Sequence, residues 1–350
     1  GDWDFLMVVF SILDRAQHDF WADMDPKHPR HDPNTTGEFR GFIHETYQHL
    51  DAAVGRLVEK LPADSRVFVV SDHGFCAELM EIRVNEVLAS AGLLTFKASH
   101  SSRKNRARVN SIKSKITNRL KIGGTGNPLE RKVSYGAAFL DEIDWSRTRA
   151  YFAQDKGVWV NLAGRDEAGI VPEVRFDEVV KEARAALSEL RIPEDGGPAF
   201  EKLASRDEAF KGAYADRLPD LVMVPRKDEY VYNERPGYGE HIVPADSTSG
   251  THSRDGIFIA WGKGIKKAAL FESRPNLRDV APVALYSLGC PLTEDMDGRL
   301  LHEVFQEEGS PRRLGTSYLS ANRADTSEQT YSNTEEAALR EKLRALGYIE

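Results

Sequence analysis

Apolar positions along the chain follow two different periods. Residues 4–11 (DFLMVVFS) and 66–71 (RVFVVS) are short continuous apolar runs, the pattern of strands buried on both faces of a parallel sheet. Between them, Phe39, Phe42, Ile43, Tyr47, Leu50, Val54, Leu57, Val58 and Leu61 recur at helical spacing and predict a helix over 37–61. A helix over 82–91 (IRVNEVLASA) closes on Gly92, and 147–164 reads as two short strands around a turn. Residues 176–190 carry an amphipathic helix, and 220–224 (DLVMV) and 256–262 (GIFIAWG) are further strands. A helix over 276–288 stops at Gly289, and a last helix falls near 334–346. Strands alternating with helices predict an α/β fold, a mostly parallel central sheet with helices on both faces. No internal repeat is present.

The length of 350 residues allows two domains or one large α/β domain with insertions. Residues 1–310 are read as one domain with a surface insertion at about 93–145, and 311–350 as a C-terminal linker and helix. Within 97–132 stand eleven Lys or Arg residues against one acid, Glu130, leaving 36 basic (47 − 11) and 54 acidic (55 − 1) residues elsewhere. That segment reads as a solvated surface insertion, and it lacks the aromatic residues that stack on single-stranded nucleic acid. The net charge of −8 argues against a surface built for nucleic acid or anionic membrane. No apolar run is long enough for a transmembrane span. Cys76 and Cys290 make no disulfide framework and suit a reducing, cytoplasmic compartment. The chain opens at Gly1 with a core-type strand almost at once, so an upstream segment is expected, and a periplasmic or secreted origin stays open.

Three places carry candidate metal chemistry. In LDRAQH, Asp14 and His18 stand at i and i+4, one face of a helix if a turn starts there. In VVSDHGF, Asp72 and His73 follow a buried strand, and Gly74 is expected to turn the chain. In GTHSRDG, His252 precedes the strand 256–262. Each element alone is common on protein surfaces. Together at strand edges of one α/β pattern they point to a dinuclear site with oxygen and nitrogen donors, suited to Zn²⁺, with Mn²⁺ or Mg²⁺ as alternatives. His44 and His49 in HETYQH are five apart and diverge by about 140° on a helix, so they are set aside. His28 and His31 read as residues of a solvated loop, and Cys76 as a small packing residue. The Cys-X-Pro-X-Arg setting of a sulfatase is absent.

In order along the chain, DWDFLMVVFSILDRAQHDFW, FVVSDHGF, DWSRTRAYF, GVWVNLAGR, PDLVMVP, GTHSRDGIFIAWGKGIK and EDMDGRLL resemble the alkaline phosphatase superfamily. Within it they resemble the type I phosphodiesterase/nucleotide pyrophosphatase-like branch of phosphohydrolases and phosphomutases, from residue 2 to about 305. The resemblance implies an alkaline phosphatase-like α/β/α sandwich and two divalent metal ions. Asp14, His18 and His252 would hold one ion, and Asp72 and His73 would belong to the second. The family completes the second ion with another Asp and a Thr or Ser nucleophile, both from a segment expected upstream of Gly1. Ser71 and Thr251 do not match that nucleophile. The implied reaction is hydrolysis of phosphate mono- or diesters on a small-molecule substrate, through in-line attack and a phospho-enzyme. Alternatives are a phosphomutase of the same superfamily, or a non-catalytic metal-binding partner of a separately encoded half. The isolated chain is expected to be nearly inactive.

Overall fold

The computed structural model describes residues 3–97, 141–153, 157–212, 214–234, 239–306 and 313–315. The expected helix near 334–346 and nearly all of the basic segment lie outside them. In chain order the helices are α1 (Ile12–Met24), α2 (Gly37–Val58), α3 (Val84–Ser90), α4 (Phe176–Ser188), α5 (Arg206–Ala209) and α6 (Val280–Ser287). The strands are β1 (Arg66–Val70), β2 (Gly74–Ala77), β3 (Met80–Arg83), β4 (Ala150–Ala153), β5 (Gly157–Val160), β6 (Phe200–Ser205) and β7 (Leu221–Pro225). They continue with β8 (Tyr230–Asn233), β9 (Ile242–Pro244), β10 (Gly250–Ser253), β11 (Phe258–Gly262), β12 (Leu292–Thr293) and β13 (Arg313–Leu314). The chain divides into two compact units. Gly1–Pro26, His31–Phe75 and Ser253–Glu350 form the first, and Lys27–Arg30 with Cys76–His252 form the second. Two of the four division points fall inside strands, β2 and β10.

In the first unit, α1 and α2 pack against each other through Phe20, whose ring lies 5.6 Å from Phe39 and 4.5 Å from Phe42. Asp14 in the first turn of α1 complements the helix dipole. The helical periodicity of 37–58 is real, but Pro62 follows closely, and the chain leaves the helix before Leu61. β1 and β11 pair antiparallel, Arg66 opposite Gly262 and Val70 opposite Phe258. One face of this ribbon, Phe68, Phe258 and Ala260, packs on a core of Ile265, Val283, Leu292, Leu300, Leu301, Val304 and Phe305. The other face leaves Ile259 and Trp261 exposed.

The second unit holds the larger core, built from Ile82, Val84, Leu88, Leu93, Ile143, Val158, Leu187 and Leu221 with their neighbours. Burying each such Leu or Ile contributes about 1.5–3 kcal/mol, so truncating Ile82 to Ala would cost about 2–5 kcal/mol. Its main sheet runs β4-β5-β7-β6, antiparallel throughout, and α4 covers it with Val179, Val180, Ala183 and Leu187. A second sheet runs β8-β3-β9, with β3 parallel to β8 and antiparallel to β9. Asn85 acts as a substitute strand partner: its amide bonds both the N–H and the C=O of Phe152. That satisfies a buried backbone edge which no ladder reaches.

Several expectations fail here. The run 4–11 forms no strand, and Phe5 to Phe10 stand 40–73% exposed. Strands 66–70 and 258–262 pair antiparallel with each other, and 221–225 belongs to a sheet of the other unit. Among the described residues the ladders are mostly antiparallel, so the expected parallel central sheet is not found. The reason is physical: a continuous apolar run reports burial, whereas partner and direction come from non-local pairing. The expected helix 82–91 is also split. Its first residues pair with β8 and β9 as β3, and the helix starts at Val84; Gly92 ends it at φ +73°, as the sequence predicts.

Candidate metal centre

The helix expected at LDRAQH forms as α1, which begins two residues before Asp14. One turn apart, His18 Nε2 and Asp14 Oδ1 are 3.6 Å from each other. Asp72 and His73 occupy the connection from β1 to β2. Ser71 locks its start, donating its N–H to Ile257 O at 3.1 Å and accepting the Ile257 N–H on Oγ at 2.8 Å. His73 Nδ1 pairs with Gly74 O at 3.0 Å, a contact that places the proton on Nδ1 and makes Nε2 the lone-pair nitrogen. Nε2 lies 3.7 Å from Asp14 Oδ1 and 3.5 Å from Asp72 Oδ1. Asp14 is thus shared between the two histidines, and Asp72 is the most exposed member.

Gly74 has a role other than the expected sharp turn. Its φ is not in the positive range, and it opens β2 directly. A Cβ there would fall 2.0 Å from Asp255 O and 2.7 Å from Ser253 Oγ, so the position requires glycine for close approach. The next residue, Phe75, makes an edge contact with the His18 ring at 4.9 Å and lies 5.5 Å from the His73 ring. The sequence reading did not weigh Phe75. Its signal was available, because alternation along a strand puts it on the same side as His73.

His252 lies inside β10 instead of leading into β11. Tetrahedral donors at 2.0–2.2 Å from Zn²⁺ stand about 3.4 Å apart, and the Asp14–His18 pair at 3.6 Å is close to that spacing. Within the first unit one carboxylate and two imidazoles, Asp14, His18 and His73, each half-buried, suit such an ion chemically. Within the first unit the structure therefore brings Asp14 to His18 and to His73, and His73 to Asp72.

The residues set aside behave mostly as expected. His44 and His49 are exposed on α2 and engage Gln48 and the Glu45 carbonyl. Thr251 is buried. Cys76 is a packing residue: burial, then Glu229, Asp228 and Glu78, push its thiol up to about 12. The exception is His28, which is 4% exposed and hydrogen-bonded instead of solvated.

The sequence profile of the type I phosphodiesterase / nucleotide pyrophosphatase family matches residues 1–255. The chain belongs to that family, a member of the alkaline phosphatase superfamily. No curated protein and no solved structure gives a significant match. No helix among the described residues is long and apolar enough to cross a membrane.

Proposed function

We propose that this chain carries the metal centre of a hydrolase acting on phosphodiester or pyrophosphate bonds, with phosphate monoesters as further substrates. Membership of the phosphodiesterase/pyrophosphatase family supports the reaction class, and the clustering of Asp14 with His18 and His73 in the first unit is the observation that carries the reading. In it, Asp14, His18 and His252 hold one divalent ion, and Asp72 and His73 supply ligands to a second. Zn²⁺ is the favoured ion on donor type. Two bound ions would polarise a phosphoryl oxygen and stabilise the departing one.

The chain's own residues set that centre up. The Gly74 carbonyl fixes the His73 tautomer, and Phe75 limits how the His18 and His73 rings can turn. The attacking hydroxyl is assigned neither to Ser71, whose Oγ is engaged by Ile257, nor to the buried Thr251. The test is calorimetric titration with Zn²⁺ and Mn²⁺, alongside hydrolysis of activated aryl phosphodiesters and monoesters, with His252→Ala as control. One tight ion lost in His252→Ala supports the reading. Metal binding indifferent to His252 sinks it.

A further inference from the structure

Within the second unit, a carboxylate is buried where an apolar side chain would be expected. Glu78, directly after β2, is 4% exposed. A buried carboxylate is costly unless its oxygens are hydrogen-bonded. Here both are: Ser247 Oγ donates to Oε1 at 3.2 Å and Thr248 Oγ1 donates to Oε2. Burial raises the Glu78 pKa and nearby Glu81 adds to it, while the two hydroxyls oppose the shift.

The two hydroxyls that meet the Glu78 carboxylate belong to one loop. Residues 245–249 connect β9 to β10, the strand that carries His252. Each end of the loop is tied to the backbone around Glu78. Ala245 N donates to Leu79 O at 3.0 Å, and Glu78 N donates to Ser249 O at 2.9 Å. A second element braces the same place. The segment Lys27–Arg30 is counted with the second unit although the chain on either side of it belongs to the first. Arg30 donates from its guanidinium to Thr248 O, His28 Nδ1 accepts the Arg30 N–H, and His28 Nε2 bonds Glu78 O at 3.3 Å. Backbone, carboxylate and strap thus fix the same five residues, three positions before His252.

We infer that Glu78, braced by the His28–Arg30 strap, is a positioning residue for His252, holding the 245–249 loop so that β10 presents its imidazole as a ligand. This rests on the metal reading above and extends it to residues outside the ligand set. Outer partners that orient a metal ligand typically change affinity by about 10–100-fold when removed. Glu78→Leu removes both acceptors at similar volume, whereas Glu78→Gln keeps the shape and can still meet two hydroxyls, which rotate to donate or accept.

The experiment compares wild type, Glu78→Leu, Glu78→Gln, Thr248→Val and His252→Ala by two readouts. One is Co²⁺ affinity with the visible spectrum of the bound ion. The other is amide hydrogen exchange of a 245–252 peptide against a β4–β5 peptide. Expected for Glu78→Leu is about 10–100-fold weaker Co²⁺ binding, an altered spectrum, and faster exchange confined to 245–252. Glu78→Gln should stay close to wild type, and Thr248→Val should fall between. Wild-type affinity and exchange in Glu78→Leu would overturn the inference. So would exchange that rises equally in β4–β5, because that marks a general loss of stability. If wild type binds no Co²⁺, or His252→Ala binds it equally well, the metal reading fails. The exchange arm then still decides whether Glu78 orders the loop.

Discussion

Replacing Asp220 by alanine tests what holds the main sheet of the second unit. Asp220 is 1% exposed and serves four donors. Arg165 reaches it with two guanidinium nitrogens at 2.9 and 2.8 Å, Arg206 Nη1 at 3.1 Å, and the Val160 N–H at 2.8 Å. The carboxylate therefore ties the end of β5 to the start of β7 and to α5. Removing it leaves two guanidiniums without their shared counter-ion and strands a buried backbone donor. Breaking a buried ion pair by deleting one partner costs about 3–5 kcal/mol. The four bonds share one group, so their separate values do not add. Arg165 also keeps Asp166 and the Val160 carbonyl, and it is about a quarter exposed, which places the loss near the lower end, about 3 kcal/mol. At about 2–4 °C per kcal/mol for a unit of this size, melting should fall by roughly 6–12 °C.

The assay needs a local probe, because a chain with two compact units need not unfold in one transition. Trp159 stacks under Arg165 at 5.2 Å, so its near-ultraviolet signal reports this network, and exchange of the Val160 amide reports the orphaned donor. Asp220→Asn should lose most of the same stability, since its amide NH₂ turns a donor toward a guanidinium that can only donate. Asp220→Ala melting within 1 °C of wild type, with Val160 protection intact, would refute the argument.

Two further outcomes follow from the same coordinates. Gly74→Ala should destabilise the first unit by about 1–3 kcal/mol, because its Cβ meets the Asp255 carbonyl backbone at 2.0 Å; circular dichroism melts would show this, and wild-type melting would argue against the close approach. Cys76 should be alkylated at pH 8.5 on the order of a thousandfold more slowly in the folded chain than in urea, since a thiol pushed up to about 12 is almost wholly protonated there; mass-resolved kinetics reading equal rates would contradict the burial.

Much of the local structure was legible in the sequence. The apolar spacing of α2, the paired strands β4 and β5, and the terminators Gly92 and Gly289 all depend on neighbours within one turn or one hairpin. So does the Asp14–His18 pair, which needs only that a helix begin nearby. The sheet order was not legible. Val67 and Val69 would suit a parallel or an antiparallel neighbour equally, and only contact with Trp261 and Ile259 across the ladder settles which. The run 4–11 shows the limit most clearly. Its residues have strong β propensity, yet a strand is a pairing, and propensity supplies only half of one.

The harder blind spot is the ionisable residue that is buried. Glu78, Glu81 and Asp220 are buried acids that nothing in the sequence marks, and His28, read as part of a solvated loop, is buried too; acids and imidazoles are rarely enclosed without partners. Their partners are far away in the chain: Thr248 is 170 positions from Glu78, and Arg165 is 55 from Asp220. No periodicity records such a pair. The metal ligands are easier to find for a chemical reason, since a lone-pair donor on a half-exposed loop is conspicuous by residue type. The groups that hold a ligand in place look like ordinary solvated side chains until the fold encloses them. Serine, threonine and a short histidine–arginine strap around an enclosed acid therefore deserve the same search as the ligands, because positional errors of an ångström weaken a site as surely as a missing donor.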